Sequence, residues 1–192
     1  MKLSHAAIRV RDLFRDSVME LKNTRSLAFA ASVLALQVVL KMFVTINLTP
    51  NARISFHYIT MALAGSMFGP FVAMMTGGFA DLLAYFLGGA TATGAYFPGF
   101  MITEMLVGLT YGYSLYKKNI SFPRVVVTQL LINGILTLVL NTYWHYTLRG
   151  NAVLADIPLR AITNACQCAV YIVLMLPFIR RIREYLLALP RR

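Results

Sequence analysis

Aromatic, basic and amide side chains cluster where the apolar stretches of this sequence end. One group surrounds Arg53, a second runs from Tyr96 to Phe100, and a third opens at Asn141 and closes at Arg160. Rings can stack on a flat solute, a guanidinium can pair with a carboxylate, and an amide can hydrogen-bond a ring edge. These residues therefore predict a site for a heteroaromatic, anionic solute. Tyr and Trp also gather at membrane interfaces, which accounts equally well for about half of these aromatics.

The residues give little support for nucleotide hydrolysis, metal binding or enzyme catalysis. The sequence has no GxxxxGK[ST] phosphate loop and no HExxH motif. Asp81 and Glu104 are the only acids within the apolar region, too few for a metal-dependent lipid phosphotransferase, although two acids could form an aspartyl-type pair. Cys166 and Cys168 stand two apart on a predicted helix and therefore point to different faces. We expect no enzyme activity, no metal site and no cofactor.

The composition is that of an integral membrane protein. Of the 192 residues, 58% are apolar and 13% are charged, against about 45–50% and roughly 25% in soluble domains. The mean hydropathy is +0.66. Basic residues stand in clusters between apolar stretches of about 20 residues, the length that crosses a bilayer. Too little polar sequence remains to form a nucleic-acid-binding face.

We predict an all-α bundle of six membrane-spanning helices. Pro70, Pro98, Pro123 and Pro158 each stand at the start of a predicted span, where the missing N–H is tolerated. Spans two and three are short and meet at Gly69-Pro70, so either one could be re-entrant or strongly tilted. The predicted spans are residues 26–46, 54–69, 70–88, 98–116, 124–147 and 158–179.

Basic residues are distributed unequally between the two predicted sides of the membrane. Fourteen of the eighteen lie in residues 1–25, in the fourth connection and in the C-terminal segment, whereas Arg53, Arg149 and Arg160 lie on the opposite side. The positive-inside rule then places both termini in the cytoplasm and the chain in the cell membrane. The long basic lead and the full-length first apolar run argue against a cleaved signal peptide.

The N-terminal segment has a helical period of its own. Its apolar residues fall within one narrow arc, which predicts an amphipathic helix on the cytoplasmic membrane surface. A membrane-flanking anchor is favoured over a regulatory role. We therefore divide the chain into an interfacial segment (1–25), a six-helix membrane domain (26–184) and a basic cytoplasmic tail (185–192). The residues of the apolar arc are Leu3, Ala7, Val10, Phe14, Val18 and Leu21.

The first predicted span has two distinct faces. Gln37 and Lys41 lie on one side, and we expect them to face the bundle interior because a lysine exposed to lipid is expensive. The opposite side carries small residues within about a third of the helix circumference, which allows another helix to approach closely. Docking of a partner and ordinary packing within the chain explain this face equally well. The small residues are Ala28, Ala31, Ser32 and Ala35.

Three stretches of the sequence match a known family of membrane proteins. They are Arg53-Ile54-Ser55-Phe56 with Leu63 to Pro70, Gly78 to Leu83 with Gly94 to Phe100, and Asn141-Thr142-Tyr143-Trp144 with Arg160. From residue 26 onward the sequence resembles the substrate-binding S components of energy-coupling factor (ECF) transporters, and among them the folate-specific family. The phenylalanine-glycine-proline turn and the small-residue first helix are similar to S components generally, whereas the second and third stretches point more narrowly to folate.

The resemblance implies a subunit that captures a vitamin from outside and has no transport activity alone. Members of the group dock through small residues of the first helix on a transmembrane coupling subunit with two ATPases, and then topple in the membrane. By this resemblance the docking residues are Ala28, Ala31, Ser32 and Ala35. Asn141 would bond the pterin edge, the aromatics would stack, and Lys41, Arg53 or Arg160 would neutralise glutamate carboxylates. The implied ligand-binding residues are Lys41, Arg53, Tyr96, Phe97, Phe100, Asn141, Thr142, Trp144 and Arg160.

The sequence departs from the family pattern at three places, which leaves other functions open. Thr60-Met61 stands where a proline is usual, Phe100-Met101-Ile102-Thr103 replaces a more hydroxyl-rich stretch, and Glu104 adds an acid. One alternative is an S component for another vitamin, such as thiamine, riboflavin or a different pterin. Others are a structural membrane-assembly subunit without a small ligand and, third, a small intramembrane enzyme.

Overall fold

Helices account for nearly all of the regular structure. The structure is a computed structural model that describes residues 2–49, 52–88, 96–150 and 157–188. One two-stranded hairpin interrupts the helices, and a π-helical segment lies between α5 and α6. The elements are α1 (Lys2–Glu20), α2 (Thr24–Phe43), β1 (Thr45–Thr49), β2 (Ala52–Ser55), α3 (His57–Phe86), α4 (Pro98–Leu115), α5 (Phe122–Leu131), the π-helical segment (Ile132–Leu140), α6 (Asn141–Arg149) and α7 (Ile157–Ala188).

Four helical stretches in the described residues are long and apolar enough to cross a membrane. They are Thr24–Phe43, His57–Phe86, Phe122–Leu148 and Ile157–Ile179. These stretches agree with an all-helical membrane protein, as the composition predicts. α4 begins at Pro98, which stands where the sequence predicts a helix start, but α4 is not among the four.

Predicted spans two and three form one element, α3, that is broken at Gly69. Gly69 has φ 88° and ψ −175°, a conformation open to glycine, and Pro70 has no N–H to donate. The hydroxyl of Ser17 on α1 fills the gap in the helical hydrogen bonds. It donates to the Phe68 carbonyl (2.6 Å) and accepts from the Val72 N–H (3.2 Å). The predicted boundary therefore coincides with a real break, held together by α1.

Described side chains of α1 bond to residues that follow α4. Asp16 accepts a hydrogen bond from Lys117 at 2.7 Å, and Glu20 accepts one from the Tyr116 hydroxyl at 3.4 Å. The Asp16 carboxylate raises the pKa of the Lys117 ammonium through this hydrogen bond. The side chains of the apolar arc before residue 11 lie outside the described part, so the structure leaves the predicted interfacial role of α1 as a prediction.

The first connection is a β-hairpin, which the sequence analysis does not predict. Thr45 pairs with Ser55 and Asn47 with Arg53 in an antiparallel register. Helix α2 ends at Phe43 and α3 begins at His57, so the predicted span limits of 46 and 54 are wrong by about three residues. The alternating polar and apolar residues from Thr45 to Thr49 are the signal for a strand. The first predicted span, 26–46, includes Thr45 and Ile46 of this strand.

The predicted fifth span is continuous but changes its helical geometry in the middle. Its π-helical segment begins next to a buried polar group formed by Gln129, Asn133 and Tyr111. Asn133 donates to the Gln129 side chain at 3.0 Å, and Gln129 donates to the Tyr111 hydroxyl at 3.0 Å. Segments of π-helix are uncommon and often lie at functional sites.

Helices α3 and α4 pack so closely that glycine is required between them. A Cβ atom at Gly108 would collide with the Ala73 carbonyl, and one at Gly112 would collide with Pro70. The apolar core continues from this contact through Met61 and Val107. The close approach also brings the polar residues of the two helices within bonding distance of each other.

We expect Gly108→Ala to destabilise the bundle, because the added methyl group meets backbone atoms that cannot rotate away. Overpacking of this kind costs about 1–3 kcal/mol. The measurement is the midpoint of thermal unfolding in detergent, which should fall. Gly134→Ala is the matched control, since nothing lies within 4 Å of a Cβ atom there. Equal midpoints for the two variants would contradict the close α3–α4 contact.

Candidate functional site

A polar cavity of about 60 Å³ lies at the end of the bundle that carries the β-hairpin, here called the hairpin end. Side chains from α2, β2, α3, α4, the π-helical segment, α6 and α7 line it. Its floor is a group of charged residues, one wall is made of amides and hydroxyls, and the rim is aromatic.

The floor is a buried charged cluster of Lys41, His57, Asp81 and Glu104. The Lys41 ammonium lies 2.6 Å from Asp81 Oδ1 and 3.0 Å from Glu104 Oε1. His57 Nε2 lies 3.3 Å from Glu104 Oε2. The exposed fraction of each of these four side chains is 12% or less. Charges this far from water need partners of opposite sign, and the cluster provides them.

A chain of hydrogen bonds connects the charged cluster to the base of the hairpin. Thr45 donates its single hydroxyl proton to the Lys41 carbonyl, so Ser55 has to donate to Thr45 Oγ1. The Ser55 proton is then used, and His57 Nδ1 has to donate to Ser55 Oγ. Nε2 also has to donate if it bonds Glu104. The chain of hydrogen bonds therefore runs from the Lys41 carbonyl through Thr45, Ser55 and His57 to Glu104.

Four aromatic side chains at the mouth of the cavity are here called the aromatic rim: Phe100 and His145 line the cavity, Phe97 packs against Phe100, and Trp144 packs against Phe97. Trp144 Nε1 donates to Thr103 Oγ1 at 3.1 Å, which fixes the indole against α4. The ring centres of Phe97 and Trp144 are 5.6 Å apart, and those of Phe100 and His145 are 4.9 Å apart. A Cβ atom at Gly99 would lie 2.7 Å from the indole, so the absence of a side chain there admits Trp144.

The polar wall comes from the fifth span and α7. Asn141 Oδ1 is buried and has no hydrogen-bond partner among the described residues. Arg160, 4% exposed, begins the polar part of α7, and Asn164 donates to its carbonyl at 2.9 Å. A buried acceptor without a donor is unfavourable in a membrane protein. The wall is therefore suited to a solute that supplies hydrogen bonds.

The cavity brings together some of the predicted ligand-binding residues and not others. Lys41, Phe100, Asn141 and Arg160 line it, whereas Phe97 and Trp144 belong to the aromatic rim without lining the cavity. Tyr96 packs instead with Tyr85 and Phe86, at ring distances of 5.0 and 6.4 Å. Thr142 lies next to Asn141 but does not line the cavity. Arg53 belongs to strand β2, and its side chain lies outside the described part.

The sequence analysis gives Asp81 and Glu104 no role beyond a possible aspartyl-type pair. Lys41 does face the bundle interior, but its ammonium bonds two carboxylates of this chain. The sequence contains the necessary signal. A lysine within a membrane helix requires an acid, and the apolar region has only these two.

The predicted docking residues form one exposed face of α2. Ala28, Ala31, Ser32 and Ala35 are all exposed. The Ser32 hydroxyl donates to the Ala28 carbonyl at 2.9 Å, so it is satisfied within the helix. The face is smooth and has its polar atoms paired, which suits close contact with another helix.

We expect Lys41→Met to destabilise the protein by about 3–5 kcal/mol, because it leaves two buried carboxylates without their cation. The midpoint of thermal unfolding in detergent measures this change. Lys22→Met is the control, because Lys22 is exposed. Adding Asp81→Asn and Glu104→Gln to Lys41→Met should recover most of the loss. An unchanged midpoint for Lys41→Met would contradict the pairing.

Comparison with known proteins identifies the family. The family model described as "ECF transporter, substrate-specific component" matches residues 25–190. "Folate transporter FolT" of Clostridium novyi (strain NT) is 30% identical over 155 residues, which cover 81% of this chain and 88% of that protein. The protein of the same name from Leuconostoc mesenteroides subsp. mesenteroides is 32% identical over 125 residues, 64% of each chain.

The fold agrees with the sequence comparisons. A solved structure described as "Crystal structure of FolT bound with folic acid" matches with a TM-score of 0.75 and 29% identity, covering 82% of this chain and 94% of that one. The resemblance to S components predicted from the motifs is thereby confirmed, as is the all-helical membrane fold. This is a family of transporter components and not of enzymes. The chain belongs to the family of substrate-specific components of ECF transporters.

Proposed function

We propose that this chain is the folate-binding subunit of an ECF-type importer. The observation that carries the proposal is the convergence of Asn141, Phe100 and Arg160 on one cavity, with Phe97 and Trp144 packed beside Phe100. Relatives named for folate transport, and a similar fold solved with folic acid, support the choice of ligand. The coupling subunit and two ATPases of the transporter would supply the energy for release into the cell.

Each part of the cavity has a role in this proposal. Trp144, held by Thr103, stacks with Phe97 and Phe100 around the ligand rings, and Asn141 bonds a ring edge. We assign the glutamate carboxylates to Arg53 or Arg160, because the Lys41 ammonium already bonds Asp81 and Glu104. Sites for small molecules usually measure about 300–1,000 Å³. The 60 Å³ cavity therefore has to widen at its rim when the ligand enters.

We expect Asn141→Ala and Trp144→Ala each to weaken folic acid binding by about 10-fold or more. Loss of a buried hydrogen bond or of ring stacking costs about 1–3 kcal/mol. Calorimetric titration of the purified chain measures the affinity, and the wild type should bind one folic acid per chain. Tyr146→Ala, which removes an exposed ring from the same helix, is the control.

Two results would contradict this site or this ligand. Unchanged affinity in both variants would show that the ligand lies elsewhere. Competition by thiamine or riboflavin at lower concentration than folic acid would indicate another vitamin. The absence of any ligand-dependent thermal shift would favour the membrane-assembly alternative.

We further propose a six-span arrangement with both termini in the cytoplasm of a cell. The spans would be α2, the two parts of α3 at 57–68 and 70–86, α4, the stretch Phe122–Leu148, and α7. The break at Gly69 and the basic residues near both termini support this arrangement. The hairpin end then faces outward. Residues 1–25 would form the interfacial segment, 26–184 the membrane domain and 185–192 the basic tail.

We propose that the exposed small-residue face of α2 contacts the coupling subunit. The four residues Ala28, Ala31, Ser32 and Ala35 lie on the face opposite Lys41 and away from the cavity. A helix of the coupling subunit can approach this face closely because no long side chain projects from it. Docking and ligand capture would therefore use opposite sides of one helix.

We expect Ala31→Trp combined with Ala35→Trp to abolish co-purification with the coupling subunit, because two indoles would hold the helices apart. Folic acid binding by the isolated chain should remain unchanged. Ala31→Ser combined with Ala35→Ser keeps the residues small and should retain the complex. Co-purification of the tryptophan variant at the wild-type level would contradict the docking face.

A further inference from the structure

The charged cluster contains one carboxylate oxygen that the protein leaves available. Asp81 Oδ1 accepts from Lys41 at 2.6 Å, whereas no described residue bonds Oδ2. The Asp81 side chain lines the cavity and is 12% exposed. Glu104 differs, because Oε1 accepts from Lys41 and Oε2 bonds His57. The two acids of the cluster are therefore not equivalent toward a ligand.

The floor of the cavity favours a ligand group that donates a hydrogen bond and disfavours an anionic ligand group. The Lys41 ammonium bonds both carboxylates, and both His57 nitrogens have partners within the protein. A ligand carboxylate placed at the floor would meet the Asp81 charge in a region of low dielectric, where repulsion is strong. An N–H group would instead form a charge-assisted hydrogen bond.

A second acceptor lines the same cavity. The Asn141 side-chain oxygen is buried and has no partner among the described residues. It comes from a different helix than Asp81, so a ligand between them would meet acceptors from two elements. A flat ring with several N–H groups would satisfy both.

We propose that Asp81 receives N–H donors from the heterocycle of the ligand, so that the ring enters the cavity first and the ligand carboxylates stay at the rim. This inference rests on the proposed capture of folate. The pyrimidine edge of a pterin presents two adjacent donors, its ring N–H and its 2-amino group, which match one carboxylate. Asp81 thus selects rings with a 2-amino group over rings with a 2-oxo group.

The first test uses the wild-type protein and two small ligands that differ at one position. Lumazine-6-carboxylic acid carries an oxygen where pterin-6-carboxylic acid carries the amino group, so an acceptor would face Asp81. We expect lumazine-6-carboxylic acid to bind about 10–100-fold more weakly, from about 1.5–3 kcal/mol for a hydrogen bond to a charged group. Equal affinity for the two compounds would overturn the inference.

The second test compares two variants that remove the same charge. In Asp81→Asn the preference for the pterin over the lumazine should fall toward one. Glu104→Gln is the matched control and should keep the preference, because both oxygens of Glu104 are bonded within the protein. A preference retained in Asp81→Asn, or tighter folic acid binding by it, would overturn the inference. If Asp81→Asn does not fold, the wild-type comparison decides alone.

The binding of folic acid and the role of Asp81 are tested by different measurements. Wild-type protein that binds no folic acid would overturn the proposed function, and the role of Asp81 with it. Wild-type protein that binds folic acid but does not distinguish the two small ligands would overturn the role of Asp81 alone. A weakened binding of folic acid by Asp81→Asn, with p-aminobenzoyl-glutamate unaffected, would support the ring-first orientation.

Discussion

A lysine within a membrane helix has to find an anion, and the pairing of Lys41 organises the hairpin end of this protein. Lys41 on α2 bonds Asp81 on α3 and Glu104 on α4, so one ammonium group connects three helices. The same network continues through His57 and Ser55 to the hairpin, and Tyr171 on α7 bonds the Ser55 carbonyl. Breaking one member leaves another buried charge or polar group unpaired, which makes the arrangement cooperative.

The approach of α3 to α4 that allows this pairing depends on residues nearer the opposite end of the bundle from the hairpin. Glycines let α3 and α4 approach until their backbones nearly touch, which brings Asp81 and Glu104 to the same ammonium. The break at Gly69 permits the chain to reverse, and the Ser17 hydroxyl replaces the hydrogen bonds lost there. Small residues and one hydroxyl therefore control where the charges meet.

The sequence predicts the features that depend on local pattern. The apolar runs, the helix start at Pro98, the break at Gly69-Pro70 and the small-residue face of α2 all follow from neighbouring residues. Membership of the cavity was predictable for Asn141, Phe100 and Arg160, because the ends of helices on one side of a bundle converge. Each of these features depends on the residues of a single helix or on the side of the bundle at which that helix ends.

The features that the sequence did not predict depend on contacts between distant residues. The strand Thr45–Thr49 has an alternating pattern, but it is short and directly follows the apolar helix α2, so its composition does not separate it from that helix. The π-helical segment forms beside Gln129, whose partners come from α4 and α7. Lys41 could have been neutralised by a ligand or by an acid of the chain, and only the approach of α3 to α4 decides between these.

The position of Trp144 has a practical consequence for studies of this protein. It is the single tryptophan of the chain, and it lies at the rim of the cavity in contact with Phe97 and Thr103. Its intrinsic fluorescence therefore arises from one place only, next to the proposed ligand. Occupancy of the cavity can be followed optically in the unlabelled chain, in detergent or in a bilayer.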